Sequence, residues 1–167
     1  MSALVLSKGW DEIRGDAVRE FTREKRLRTR SVNGTLALGE TITELLRAPK
    51  LVVLRGELGA GKTTLVKGMA AALGAADAED VASPTFTLVH EYLGRKVKLF
   101  HLDLYRLETE QELENIGLWE MADSGNALVL VEWGDKFPSV MERADAEIAM
   151  AQGEVENELL LLVKWRE

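Results

Sequence analysis

Leu51-Val-Val-Leu-Arg-Gly-Glu-Leu-Gly-Ala-Gly-Lys-Thr-Thr64 decides the fold of this chain. Its first four residues are a continuous apolar run, the mark of a strand buried on both faces of a parallel sheet. Gly56 to Thr63 then fits G-x-x-x-x-G-K-[ST], a pattern that belongs between such a strand and a helix. Glycines let the backbone wrap around phosphate oxygens with successive N–H groups turned inward, and the following helix aims its positive end at the same anion. Glu57, Leu58, Gly59, Ala60, Gly61, Lys62, Thr63 and Thr64 are therefore expected to cradle the phosphates of a nucleotide. In such a loop Lys62 reaches the β- and γ-phosphates and the Thr63 hydroxyl ligates Mg²⁺. The helix is expected from Lys62 to Leu73, with Leu65, Met69 and Leu73 along one side and Gly74 as its C-terminal cap.

Outward from this core, Thr35 to Arg47 reads as a helix with Leu38, Ile42, Leu45 and Leu46 on one face, stopped by Pro49. Beyond the phosphate loop, Ser83-Pro84 breaks the chain. Thr87–Leu93 and Val97–Asp103 then read as two strands of a hairpin joined through Gly94-Arg95. Glu108–Asn115 is an acidic helix, and Ala127–Val131 is a second wholly apolar, buried strand. Two edge strands close the chain, at Ala146–Ala151 and Leu159–Trp165. This order predicts an α/β fold: a single P-loop NTPase-like domain, over 31–167, with a mixed, mainly parallel central sheet flanked by helices. Residues 1–30 read as an N-terminal appendage, with a helix over Trp10–Arg26 that carries Ile13, Ala17 and Phe21 at four-residue spacing.

Composition narrows the chemistry. The 167 residues are 46% hydrophobic and 29% charged, an ordinary globular balance. The absence of cysteine excludes disulfides, thiol nucleophiles and zinc–thiolate sites. With only His90 and His101, an imidazole-rich zinc site is not expected. No apolar run is long enough for a membrane span, and the cytoplasm is the expected compartment. The net charge of −7 is uneven, because residues 1–30 are basic and the body is acidic. An acidic body argues against gripping nucleic acid unaided, and the basic stretch Arg19–Arg30 reads as a solvated helix edge.

A P-loop needs a further acid to hold Mg²⁺ or its water. Asp103 and Glu132 both end predicted strands, where a parallel sheet binds its ligands. Either one suits the metal, and either suits the orientation of a water. No N-K-x-D guanine-reading motif occurs. Past the loop only Arg95, Arg106, Arg143 and Arg166 are available to hold a second phosphate acceptor. A small-molecule kinase is the rival enzyme reading, and a nucleotide-gated binding module that hydrolyses negligibly unless assembled is the rival outside catalysis.

Three further strings sharpen this reading: Ser83-Pro-Thr-Phe-Thr-Leu-Val-His-Glu-Tyr92, His101-Leu-Asp-Leu-Tyr-Arg106 and Leu130-Val-Glu-Trp-Gly134. With the phosphate loop, and in this order over about Thr35 to Trp133, they resemble the bacterial TsaE family. The resemblance implies a Mg²⁺-dependent ATPase, weak alone, needed for the threonylcarbamoyl modification of adenosine 37 in tRNA. It implies TsaD and TsaB as partners, with tRNA met indirectly through their complex. It gives Thr63 and Glu132 to Mg²⁺, puts Asp103 in an essential motif, and makes Ser83–Thr87 a switch near the γ-phosphate. In that switch Thr85 presents its hydroxyl. Trp133 matches an active-site tryptophan, and Thr35 begins a helix whose N-terminus lies toward adenine. The expected catalytic set is Asp103, Glu132 and Lys62. One departure stands out: where the family often has Gly-Arg before the last strand, Gln152-Gly153 is followed by Glu154.

Overall fold

The computed structural model describes residues 21–57, 61–77, 80–82, 84 and 88–167. Its elements are β1 (Arg23–Thr29), α1 (Val32–Leu45), β2 (Lys50–Gly56), α2 (Lys62–Ala72), β3 (Val89–Leu93), β4 (Lys98–Asp103), α3 (Glu110–Asn115), α4 (Leu118–Ala122), β5 (Ala127–Glu132), a 3₁₀ turn (Gly134–Lys136), α5 (Pro138–Arg143), β6 (Ala146–Gln152) and β7 (Leu159–Trp165). The strands form one sheet in the order β1-β7-β6-β2-β5-β4-β3. The central strands β6, β2, β5 and β4 run parallel. Strand β3 closes one side antiparallel to β4, as the predicted hairpin requires, while β7 and β1 extend the other side antiparallel.

Two expectations need correction. The segments Ala146–Ala151 and Leu159–Trp165 are not edges, because β6 lies between β2 and β7, and β7 between β6 and β1. Their apolar residues are buried on both faces, which is the pattern of interior strands. The edge belongs to β1, where the expected helix over Trp10–Arg26 is replaced by strand at Arg23–Arg26; as far as Glu20 that helix lies outside the described residues. Arg23, Glu24, Lys25, Arg26 and Arg28 are exposed on β1. Charge on an outer strand discourages pairing with a second sheet edge, so within the basic stretch Arg23–Arg28 are on a solvated strand, not a solvated helix.

Alternation along the strands builds two main cores and a smaller cluster of Ala149, Leu160 and Leu162 on β6 and β7. Val52, Leu54, Leu99, Leu128, Leu130, Ile148 and Leu161 face α1 and α2. Leu51, Val53, Phe100, Leu102, Val129 and Val131 face α3, α4 and α5. Helix α1 starts at Ser31, whose side chain accepts from the Gly34 amide, and α2 ends before Gly74, which takes the left-handed conformation (φ +65°) suited to a helix stop. The acidic helix α3 opens with a capping box in which Thr109 and Glu112 bond each other's backbone. The Glu108 amide also donates to Glu112 and holds that carboxyl below its usual 4.5.

Helices α1 and α2 touch backbone to backbone. A Cβ on Gly68 would lie 2.2 Å from the Leu36 carbonyl oxygen, and one on Gly39 would lie 2.1 Å from the Gly68 carbonyl carbon. Neither neighbour is a flexible side chain, so the helices would have to separate. Gly68→Ala is expected to destabilise the fold by about 3 kcal/mol and to lower Tm by roughly 6–12 °C in thermal unfolding. An unchanged Tm would mean that the helices do not cross this closely.

Candidate functional site

Strand alternation aims one set of side chains at α2. On β4, His101 and Asp103 follow Leu99 on that face; on β5, Glu132 follows Leu128 and Leu130. Register sets Asp103 beside Glu132 at the carboxyl ends of the two strands. Both carboxylates are buried, and His101 is fully buried. The Tyr105 amide donates to Asp103 Oδ1 at 2.9 Å, and His101 Nε2 lies 2.8 Å from Glu132 Oε2.

Strand β2 delivers the phosphate loop to the same edge. Gly61 enters α2 with φ +87°, a left-handed conformation costly for residues with a Cβ. It gives the helix no side-chain cap, so the first amides of α2 are left for another acceptor. Lys62 bends back over the loop, donating to the Gly56 carbonyl and, at 3.4 Å, to that of Glu57. Its ammonium also lies 3.8 Å from Glu132 Oε1. The loop lysine and the strand-end acid thus meet across β2 and β5. Thr63 is in the first turn of the same helix.

Beside the phosphate loop a cleft of about 430 Å³ opens between the start of α1, the start of α2 and the β6–β7 connection. Thr35, Gly61 and Thr64 line it together with Val32 and Val155, both well exposed. The Thr35 hydroxyl is already engaged, bonding Thr29 Oγ1 at 2.8 Å and donating to the Ser31 carbonyl at 3.2 Å. Its contribution to the cleft is therefore mainly the wall. In the sequence the β6–β7 connection is marked only by the family's Gly-Arg position, where Glu154 stands instead. Gly153 lies against the Glu158 side chain in this turn, and its amide donates to the Glu158 carbonyl at 2.7 Å. The departure from Gly-Arg falls in this wall.

Trp133 follows Glu132 with φ +63° and is 42% exposed, so it is not a core residue. It leans on Tyr105, with ring centroids 5.1 Å apart, and Lys136 pins that corner by donating to the Tyr105 and Leu107 carbonyls. On the other side, Leu88 has φ +65° and its carbonyl accepts from the Asp103 amide. Asn157, in the cleft wall, is the third non-glycine residue with positive φ among those described. Such conformations cost about 1–3 kcal/mol for residues with a Cβ, less for asparagine, and gather at binding sites and switches.

The structure thus brings together Lys62, Asp103 and Glu132, and sets Trp133 next to them. Glu57 sits at the mouth of the loop, and Thr35 and Thr64 lie along the cleft. Leu58, Gly59, Ala60 and Thr85 lie outside the described residues, as do Ser83 and Thr87. Among the described residues no three His, Cys, Asp or Glu side chains gather to hold a metal. Two adjacent carboxylates and a P-loop threonine do fit Mg²⁺, which takes only one or two protein oxygens and completes its shell with phosphate and water. Within the same residues, no helix is long and apolar enough to cross a membrane.

Comparison with known proteins bears on the family and the fold. The model of the family described as threonylcarbamoyl adenosine biosynthesis protein TsaE matches residues 29–159. A Nostoc protein named tRNA threonylcarbamoyladenosine biosynthesis protein TsaE is 43% identical over 106 residues, which are 62% of this chain and 64% of that protein, just under two thirds of its length. The Treponema pallidum protein of the same name is 38% identical over 122 residues, covering 73% of this chain and 87% of its own. The crystal structure of Bacillus subtilis YdiB superimposes with a TM-score of 0.66 at 25% identity, covering 89% of this chain and 90% of that one. A family model matched from the end of β1 to the start of β7, with relatives of one name, means that this chain belongs to the TsaE family.

Proposed function

We propose that this chain binds ATP with Mg²⁺ and hydrolyses it, in the cytoplasm, in service of the threonylcarbamoyl modification of adenosine 37 in tRNA. In this reading it acts on a complex of TsaD and TsaB and meets tRNA only through that complex. The working unit is the domain over 31–167 together with β1 (Arg23–Thr29), which pairs with β7 in the same sheet. The observation that carries the reading is the approach of Lys62 to Glu132 at 3.8 Å, beside Asp103, at the end of a P-loop. A loop that only capped a helix would have no reason to bring its lysine to a pair of buried acids.

Each residue has a task that follows from its chemistry. Lys62 exchanges the Gly56 and Glu57 carbonyls for the β- and γ-phosphates, whose charge it holds. Thr63 and Glu132 are the residues that would hold Mg²⁺, which when bound spreads the charge developing on the phosphate oxygens. Asp103, one strand farther from the loop, is the nearer choice for orienting the attacking water. Val32 and Val155 offer apolar contact to a base in the cleft. Trp133 stands half-exposed at the rim, next to the reacting end.

Transfer to water is favoured by the two strand-end carboxylates, either of which can orient an attacking water. The association is tested by size-exclusion chromatography of the chain mixed with purified TsaD–TsaB. Co-elution in Mg²⁺-ATP, lost without nucleotide, is the expected result. Separate elution in every nucleotide state would contradict the partner assignment.

A further inference from the structure

The His101–Glu132 contact goes beyond the roles assigned above. His101 is buried on the α2 face of β4, and its Nε2 meets Glu132 Oε2 at 2.8 Å. Its other ring nitrogen, Nδ1, is buried and has no hydrogen-bond partner among the described residues. An ionised carboxylate can only accept, so the hydrogen between these two groups belongs to Nε2. With that proton on Nε2, Nδ1 is a bare lone pair, which is cheaper to bury unpaired than an N–H group.

The two oxygens of Glu132 therefore have different neighbours. Oε2 is held by a side chain that cannot leave, because His101 sits inside the sheet–helix core. Oε1 faces Lys62 at 3.8 Å, and Lys62 has a second destination once phosphate arrives. We infer that His101 is a positioning residue: its Nε2–H fixes the Glu132 carboxylate by Oε2, so that Oε1 stays aimed into the site after Lys62 swings to the nucleotide. This inference rests on the ATPase reading for what Oε1 does, but not for the contact itself. Without His101, departure of Lys62 would leave a buried carboxylate with one fewer donor and free to rotate.

The lengths of two amide side chains separate positioning from packing. In His101→Gln the amide nitrogen reaches the level of Nε2 and can restore the bond. In His101→Asn it reaches only the level of Nδ1 and cannot. The probe is Mg²⁺ titrated into each variant saturated with ADP, followed by calorimetry. His101→Asn is expected to need about tenfold more Mg²⁺ while its Mg²⁺-free ADP affinity is unchanged, and His101→Gln is expected to recover most of the loss. Equal behaviour of the two variants, or a loss of Mg²⁺-free ADP affinity in the same proportion, would overturn the inference.

A second measurement needs no His101 variant and no hydrolysis. Nitrogen NMR of the wild-type histidines should find the His101 proton on Nε2, with a signal that moves in Glu132→Gln. A proton on Nδ1, or a signal indifferent to that substitution, would overturn the inference even if His101→Asn failed to fold. Failure of the wild-type chain to hydrolyse ATP with TsaD–TsaB would count against the ATPase reading and leave this contact to be judged by NMR.

Discussion

Replacing Lys62 with alanine is expected to weaken ATP binding about 10- to 100-fold, the loss of a charge-assisted hydrogen bond of roughly 1.5–3 kcal/mol. Hydrolysis should fall further, by about 10²- to 10³-fold, because the ammonium holds charge that grows in the transition state. The present position of Lys62 explains why binding survives in part. Its ammonium is shared between loop carbonyls and Glu132, so some of its interaction with ATP replaces contacts it already has. Nucleotide affinity by calorimetry and phosphate release by the same preparation check both parts. Wild-type behaviour in either would remove the P-loop reading.

Glu132→Gln should separate the two functions. The amide has the shape of the carboxylate, so the fold and the cleft should be preserved and ADP binding without Mg²⁺ retained. Its oxygen would turn to accept from His101 Nε2, because the amide nitrogen cannot accept. The NH₂ group then points where Oε1 was, toward Lys62, and presents a donor where Mg²⁺ or a water proton needs an acceptor. Turnover is expected to fall by about 10²- to 10³-fold. Phosphate release at the wild-type rate would show that Asp103 alone suffices and that the strand-end assignment to Glu132 is wrong.

How much of this was legible depends on how local each signal is. The strand and the helix on either side of the phosphate loop are written in one contiguous stretch, and the Gly94-Arg95 hairpin in another, and both appear in the structure. The strand Ala127–Val131 was legible because every residue is apolar, which only a strand covered on both faces tolerates. Sheet order is different, since it depends on pairing between distant segments. Arg23–Thr29 has the composition of a solvated helix, yet pairing along its whole length with Leu159–Trp165 makes it a strand. Strand β6 is enclosed by β2 and β7, and β1 at the outer side makes β7 interior as well.

The site divides in the same way. Lys62, Asp103 and Glu132 follow from a motif and from acids at strand ends, and the register joins them. His101 could be placed near Asp103 by alternation, but its bond to Glu132 crosses strands and needed the structure. The cleft wall from Gln152 to Leu159 has no periodic pattern to read. Gly39 and Gly68 are silent for a similar reason. A glycine inside a helix looks like a weakness until the partner helix is seen against it.

The most direct measurement is free phosphate released from Mg²⁺-ATP by the purified chain, alone and with purified TsaD–TsaB, beside Lys62→Ala under the same conditions. The account predicts slow release alone, stimulation by the partners, and no stimulation in Lys62→Ala. Release that ignores the partners, or stimulation that persists without Lys62, would contradict it.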